Sequence, residues 1–238
     1  MRSLIWLVVI ASCTSQADDY PVRFGDGVPP IQTTTGTTAR VCVIVDPRNL
    51  GSCSPGAAGG LTVTLGNTVT TTAPDGSFTV PAASTPGTTP GAMVVVSGAG
   101  MVPTAMALTA TGASGTAVPA SIPVLQADLF SQMLAANGIT PRSGSGSIVG
   151  SVTRGGQPVS GVTVTSTPSP AFRPLFDGST PTAFTLDATG ARGVVWIPGV
   201  AAGTAQLTFR DLATSGETIV GGVPVIDGGI TIMDAVLP

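Results

Sequence analysis

Gly60-Leu61-Thr62-Val63-Thr64-Leu65 alternates apolar and polar residues, which places Leu61, Val63 and Leu65 on one face of an extended strand. Gly161-Val162-Thr163-Val164-Thr165 repeats the pattern further along the chain. A period of two built on β-branched residues is a strand signal, and its recurrence predicts two copies of one β unit. The flanks agree. In the first copy Gly66-Asn67 turns the chain into Val69-Thr70-Thr71-Thr72, and Pro74-Asp75-Gly76 precedes the strand Ser77-Phe78-Thr79-Val80. In the second, Thr185-Leu186-Asp187, a turn at Ala188-Thr189-Gly190 and the strand Val194-Val195-Trp196-Ile197 follow in the same order. The turn Asp75-Gly76 with the strand ending Val80-Pro81 is thereby matched to Asp187 to Gly190 with the strand ending Ile197-Pro198.

Outward from these hairpins the chain keeps its β rhythm. Arg40-Val41-Cys42-Val43-Ile44-Val45 reads as a strand, closed by a turn at Asp46-Pro47-Arg48-Asn49. Ala92-Met93-Val94-Val95-Val96 is a continuous apolar run, the pattern of a strand buried on both faces. Ile148-Val149-Gly150-Ser151-Val152 opens the second unit, and Gln206-Leu207-Thr208-Phe209 and Ile230-Thr231-Ile232-Met233 finish it. One segment differs. Leu125, Leu129 and Met133 recur every four residues with Phe130 and Leu134 beside them, and Asn137-Gly138 is a helix stop. This predicts a short amphipathic helix, without basic residues, packed on a neighbouring β unit. The expected fold is all-β: two tandem sandwiches joined by that helix, the first over 39–122, helix and linker over 123–143, the second over 144–238.

Composition narrows the function. Only 9% of residues are charged while 42% are hydrophobic, so the chain is apolar enough to bury a core. The 32 glycines and 21 prolines suit many short strands and turns. All nine basic residues are arginine and the net charge is −3, which leaves no basic patch for nucleic acid. Histidine is absent, which removes Ser/His/Asp and Cys/His catalysis and the usual zinc sites. Asp177, Asp187 and Asp227 are the remaining candidates for acid–base work, and Asp75, Asp187 and Asp227 for calcium. Each adjoins or precedes a glycine turn, and a turn role is the stronger reading. Met93, Met101, Met106 and Met133 lack the spacing of a soft-metal site and read as core. No cofactor, metal or catalytic residue is expected.

Met1-Arg2-Ser3 followed by Leu4–Ile10 has the form of an export signal, too short to span a bilayer permanently. Ile10-Ala11-Ser12-Cys13 resembles the lipobox of bacterial lipoproteins, in which signal peptidase II cuts before the cysteine and the thiol receives a diacylglycerol. The resemblance implies a signal peptide at 1–12, lipidation of Cys13, a flexible linker over 13–38 and a place in the bacterial cell envelope. Thr14 and Ser15 lack the aspartate that retains enterobacterial lipoproteins at the inner membrane, which favours the outer membrane. The Pro-, Gly- and Thr-rich composition of the linker suits a spacer. Cys42 and Cys53 remain, and a disulfide between them fits an oxidising compartment better than two free thiols.

Gly150-Ser151-Val152-Thr153 and Gly156-Gln157-Pro158-Val159-Ser160-Gly161-Val162-Thr163-Val164 resemble the carboxypeptidase regulatory-like domain, a transthyretin-like sandwich common in exported bacterial proteins. Asp187 to Gly190 and Ile197-Pro198-Gly199-Val200-Ala201-Ala202-Gly203 extend the likeness. That family places an aromatic two residues after the turn glycine, whereas here Arg192-Gly193 intervenes and the large residue is delayed to Trp196. The stretch Asp187–Phe209 is also similar to bacterial Ig-like domains of the invasin type. The first unit is similar through Asp75-Gly76-Ser77-Phe78-Thr79-Val80. These families imply non-catalytic spacers or binding modules. The long insertion Pro168–Pro181 carries Phe172 and Phe176, which with Trp196 form a candidate sugar or peptide surface, with core packing as the alternative. The expected function is a lipid-anchored structural or adhesive envelope protein. Its expected partners are the membrane, through the lipid, and an envelope protein or glycan. A carbohydrate- or peptide-binding module and an accessory subunit of an exported peptidase are the alternatives.

Overall fold

The computed structural model describes residues 37–51, 53–54, 57–80, 93–107, 109–110, 116–117 and 120–238. They fall in the unit Thr34–Pro238. The signal at 1–12 and Cys13 lie outside the described residues. The first half holds β1 (Thr37–Ile44), β2 (Cys53–Ser54), β3 (Thr62–Leu65), β4 (Thr68–Thr71), β5 (Ser77–Val80), β6 (Met93–Ser97) and β7 (Thr104–Ala107). A small ribbon of β8 (Thr109–Ala110) and β9 (Thr116–Ala117) precedes β10 (Ser121–Val124) and the helix α1 (Ala127–Ala136). The second half holds β11 (Ser145–Arg154), β12 (Gln157–Pro158), β13 (Val162–Thr167) and β14 (Leu175–Phe176). It ends with β15 (Val194–Ala201), β16 (Gly203–Asp211), β17 (Glu217–Val225) and β18 (Ile230–Val236). The chain is predominantly β, as its alternation predicts.

The second half repeats the pairing of the first. In the first, β1 pairs antiparallel with β2 and β5 and parallel with β10, while β6 lies between β3 and β7. In the second, β11 pairs antiparallel with β12 and β15 and parallel with β18, while β16 lies between β13 and β17. A buried threonine marks the same place in each. Thr72 Oγ1 accepts from Leu61 N and donates to Ala58 O, and Thr189 Oγ1 accepts from Val162 N and donates to Val159 O. Four residues after each threonine comes a glycine at positive φ, Gly76 at 80° and Gly193 at 64°. A Cβ on either would collide with a carbonyl, that of Val41 at 2.4 Å or of Val152 at 2.6 Å. Each glycine carbonyl also accepts from the N–H of that same valine. The structural counterpart of Asp75-Gly76 is therefore Arg192-Gly193, which corrects the match to Asp187–Gly190. Counted from Gly193, the position of Phe78 is held by Val195, and Trp196 follows one residue later.

Each half has a core between two sheets. Leu61, Val63, Leu65, Val94 and Val96 pack against Val41, Val43, Phe78, Ile122 and Val124. Val162, Val164, Leu207 and Phe209 pack against Ile148, Val152, Val195, Ile197 and Ala235. The halves are joined by backbone. β18 runs parallel to β7, with Ile230 opposite Thr104 and Ile232 opposite Met106, so strands of both halves form one nine-stranded sheet. The other face of that sheet carries a third core of Val149, Val194, Trp196, Ile230 and Ile232, covered by Met133 of α1 with Leu129, Phe130 and Leu134 beside it. This explains the apolar runs at Ile148-Val149 and Val194–Ile197 and the burial of all four residues of Ile230–Met233, Thr231 included: these strands are buried on both faces. The run at Met93–Val96 is different. Val94 and Val96 are buried but Met93 and Val95 are only half-buried, so this strand has a single core face.

The predicted helix stop is realised. Gly138 takes φ 64°, and Ile139 N donates to Leu134 O at 2.9 Å. Asn137 then ties the helix end to the 182–184 loop. Its Nδ2 donates to Met133 O and Thr182 O, and its Oδ1 accepts from Phe184 N.

Asp211 closes β16 by accepting from Arg154 Nη2 at 2.7 Å, Ala213 N at 2.8 Å and Thr214 Oγ1 at 3.0 Å. The Arg154 guanidinium, then the Ala213 N–H, hold its carboxyl down to about 2 from 3.8. A pKa depressed on folding stabilises fully above the unfolded value and ceases to do so as pH falls through the folded one. Urea midpoints measured from pH 5 to pH 2 should therefore drop below about pH 4, and less steeply in Asp211→Asn. An unchanged slope in the variant would refute this role.

Candidate functional site

The turn Asp46-Pro47-Arg48-Asn49 forms where the sequence places it, with Asn49 N donating to Asp46 O at 2.8 Å. It folds the Arg48 side chain inward, leaving 7% of it exposed. Arg48 Nε donates to Asp46 Oδ1 at 2.9 Å, Nη2 to Asp46 Oδ2 at 2.8 Å, and Nη1 to Gly178 O at 3.1 Å. The fork binds a carboxylate from its own turn and a carbonyl from the second half. These bonds from Arg48 hold the Asp46 carboxyl below the usual carboxylate range, and the same pair raises Arg48.

Arg192 approaches the same carboxylate. Its Nη1 lies 3.9 Å from Asp46 Oδ2, and nearly half of its side chain is exposed. Its backbone N donates to Asp177 Oδ2 at 3.3 Å, while Asp177 Oδ1 accepts from Gly190 N at 2.7 Å. Asp177 is a buried loop clamp, and it fixes where Arg192 leaves the chain.

Arg48 and Arg192 border a cleft of about 620 Å³ between the two halves of the unit. Met106, Val194 and Ile232 supply apolar wall, while Ser151, Thr153 and Asp234 supply polar groups. Ser151 pairs with Val194 on one side and with Asp234 on the other. Its hydroxyl donates to the Asp234 carboxylate. Asp234 is exposed, so its remaining lone pairs face solvent and the cleft. The site thus offers a guanidinium, a carboxylate and an aliphatic wall, the elements of a binding cleft.

The candidate aromatic surface is corrected. Phe176 and Trp196 are buried, and they lie on opposite faces of their sheet, Phe176 in the second-half core and Trp196 in the core under α1. The register causes this: Leu175 is opposite Trp196 and Phe176 opposite Val195, so neighbouring side chains alternate faces. Phe130 and Phe184 meet Trp196 edge-on, with centroids 6.1 and 5.5 Å away. Phe172 alone is partly exposed, packed on Gly199 with the Arg142 guanidinium 5.5 Å over its ring.

The aspartates occupy turns. Asp187 pairs with Arg173, Asp227 accepts from Gly144 N at 2.9 Å, and Asp75 accepts from Ser77 N at 3.0 Å. Among the described residues no group of three or more His, Cys, Asp or Glu is placed to hold a metal ion. No described helix is long and apolar enough to cross a membrane. Cys42 Sγ lies 3.0 Å from Ser121 Oγ, and Cys53 stands opposite Ile44 on the strand paired with β1.

Sequence reading passed over Arg48, Arg192, Ser151 and Asp234. The lone signal available was that Asp46-Pro47-Arg48 and Arg192-Gly193 put arginines inside turns of a chain with few charges. No protein-family model and no curated protein matches the chain.

Proposed function

We propose that this is a lipid-anchored cell-envelope protein with a structural or binding role and no catalytic one. The observation that carries the reading is Ile10-Ala11-Ser12-Cys13 directly after an apolar signal-like run. Attachment through Cys13 would hold the β body on a tether, with Thr14 and Ser15 favouring the outer membrane. The absence of histidine supports a non-catalytic role. The body is read as two tandem sandwiches of the carboxypeptidase regulatory-like or Ig-like kind, with α1 between them in the chain. The repeated pairing of β1 and β11 and the matched threonines Thr72 and Thr189 support that reading.

The test is the intact mass of the protein recovered from the membrane fraction, with and without reductant. The expected mass begins at Cys13 with a diacylglycerol increment, and gains two hydrogens on reduction if Cys42 and Cys53 are bridged. A soluble species cut elsewhere, with no lipid, would overturn the anchor.

A further inference from the structure

We infer that the cleft between Arg192 and Asp234 binds a short free peptide, of about three residues, by its two charged ends. The inference deepens the binding role proposed above and rests on it. Arg192 is the cation available to a ligand. Arg48 is committed to Asp46 and Gly178, and Asp46 already accepts three hydrogen bonds from Arg48, from Nε, Nη2 and the backbone N. What remains for Arg192 is an ion pair at 3.9 Å, longer than a direct hydrogen bond. A guanidinium half in solvent, at the rim of a cleft, can take a carboxylate through two parallel N–H donors.

The opposite charge lies across the sheet. Val194, Ser151 and Asp234 are register partners on three adjacent strands, β15, β11 and β18. Two strand spacings are about 10 Å, and Arg192 precedes Val194 by two residues. An extended peptide advances about 3.3–3.6 Å per residue, so a chain of about three residues spans the row from Val194 to Asp234 and brings its two ends to the sides of the cleft that carry Arg192 and Asp234. Among the described residues Asp234 accepts a hydrogen bond from Ser151, and a carboxylate keeps capacity beyond it for an ammonium. Met106, Val194 and Ile232 between them favour small aliphatic side chains. Among the described residues the cleft lining contains no aromatic ring, and this separates it from a sugar platform.

The experiment is calorimetric titration of the mature full-length protein with Ala-Ala-Ala, with its C-terminal amide, with its N-acetyl form and with the doubly capped peptide. Saturable binding of the free peptide is expected, with each cap weakening it about tenfold, the scale of one charge-assisted hydrogen bond. Arg192→Gln should abolish the difference between acid and amide, and Asp234→Asn the difference between free and acetylated amine. Absence of saturable binding at millimolar peptide, or equal binding of free and doubly capped peptide, would overturn the inference. So would persistence of the acid–amide difference in Arg192→Gln. The mass of the mature chain reports the anchor independently, so the two readings fail separately.

Discussion

Trp196→Ala should destabilise the protein by about 3–5 kcal/mol, as expected for truncating a fully buried large ring whose neighbours cannot collapse. Trp196 has no exposed surface, and its ring is held edge-on by Phe130 from the helix side and Phe184 from the 182–184 loop. Removing it hollows the layer that fastens α1 to the nine-stranded sheet. Urea denaturation followed by far-ultraviolet circular dichroism measures the loss. Trp196→Phe should cost clearly less, and for a reason beyond volume. Among the described residues Trp196 Nε1 is the buried side-chain polar atom without a hydrogen-bond partner. Leaving such a donor unpaired costs about 1–3 kcal/mol, which phenylalanine avoids. A Trp196→Ala variant within about 1 kcal/mol of the parent would show that this layer is not a rigid core.

Arg48→Met should cost about 3 kcal/mol, the lower end for breaking a buried ion pair by removing one partner. The lower end applies because Asp46 keeps 26% of its side chain exposed and can recover some hydration, while Gly178 O loses the Arg48 donor. The double variant Asp46→Asn, Arg48→Met should recover part of the loss, because the uncompensated carboxylate is then gone. Equilibrium unfolding of the four proteins in the cycle measures the coupling. A single-variant loss near the 0–1 kcal/mol typical of surface pairs would mean that the Arg48 fork does not fasten the 46–49 turn to the 178 loop.

Strand identity was legible in the sequence because burial selects side chains with a period of two. Leu61, Val63 and Leu65 are all buried, as their alternation requires. The helix was legible for the same reason at a period near four, and Met133 is its fully buried residue. The β7–β18 joint was not legible. Edge pairing is made by N–H and C=O groups that every residue except proline carries, so Thr104–Met106 and Ile230–Ile232 bear no side-chain mark of having each other as neighbours. The aromatic site misled for a related reason. A ring on a strand serves a core or a ligand equally well until the faces of the sheet are assigned, and Trp196 faces a layer supplied by a helix. Arg48 and Arg192 are distant in sequence, and only the fold brings them to one carboxylate. The repeat itself is visible in the sequence, but Asp75 and Asp187 do not mark equivalent turns: the shared constraint is a glycine against a carbonyl at Gly76 and Gly193.

The parallel joint also sets an order of events during synthesis. A ribosome delivers β7 long before β18, so the β7 edge stays open while most of the second half is made. A strand edge left bare during elongation is a template for wrong partners, including another nascent chain. A chain interrupted before Ile230 would lack β18 and could complete neither the second-half core nor the shared sheet. The topology thereby leaves the first half with an open seam until β18 arrives to close it.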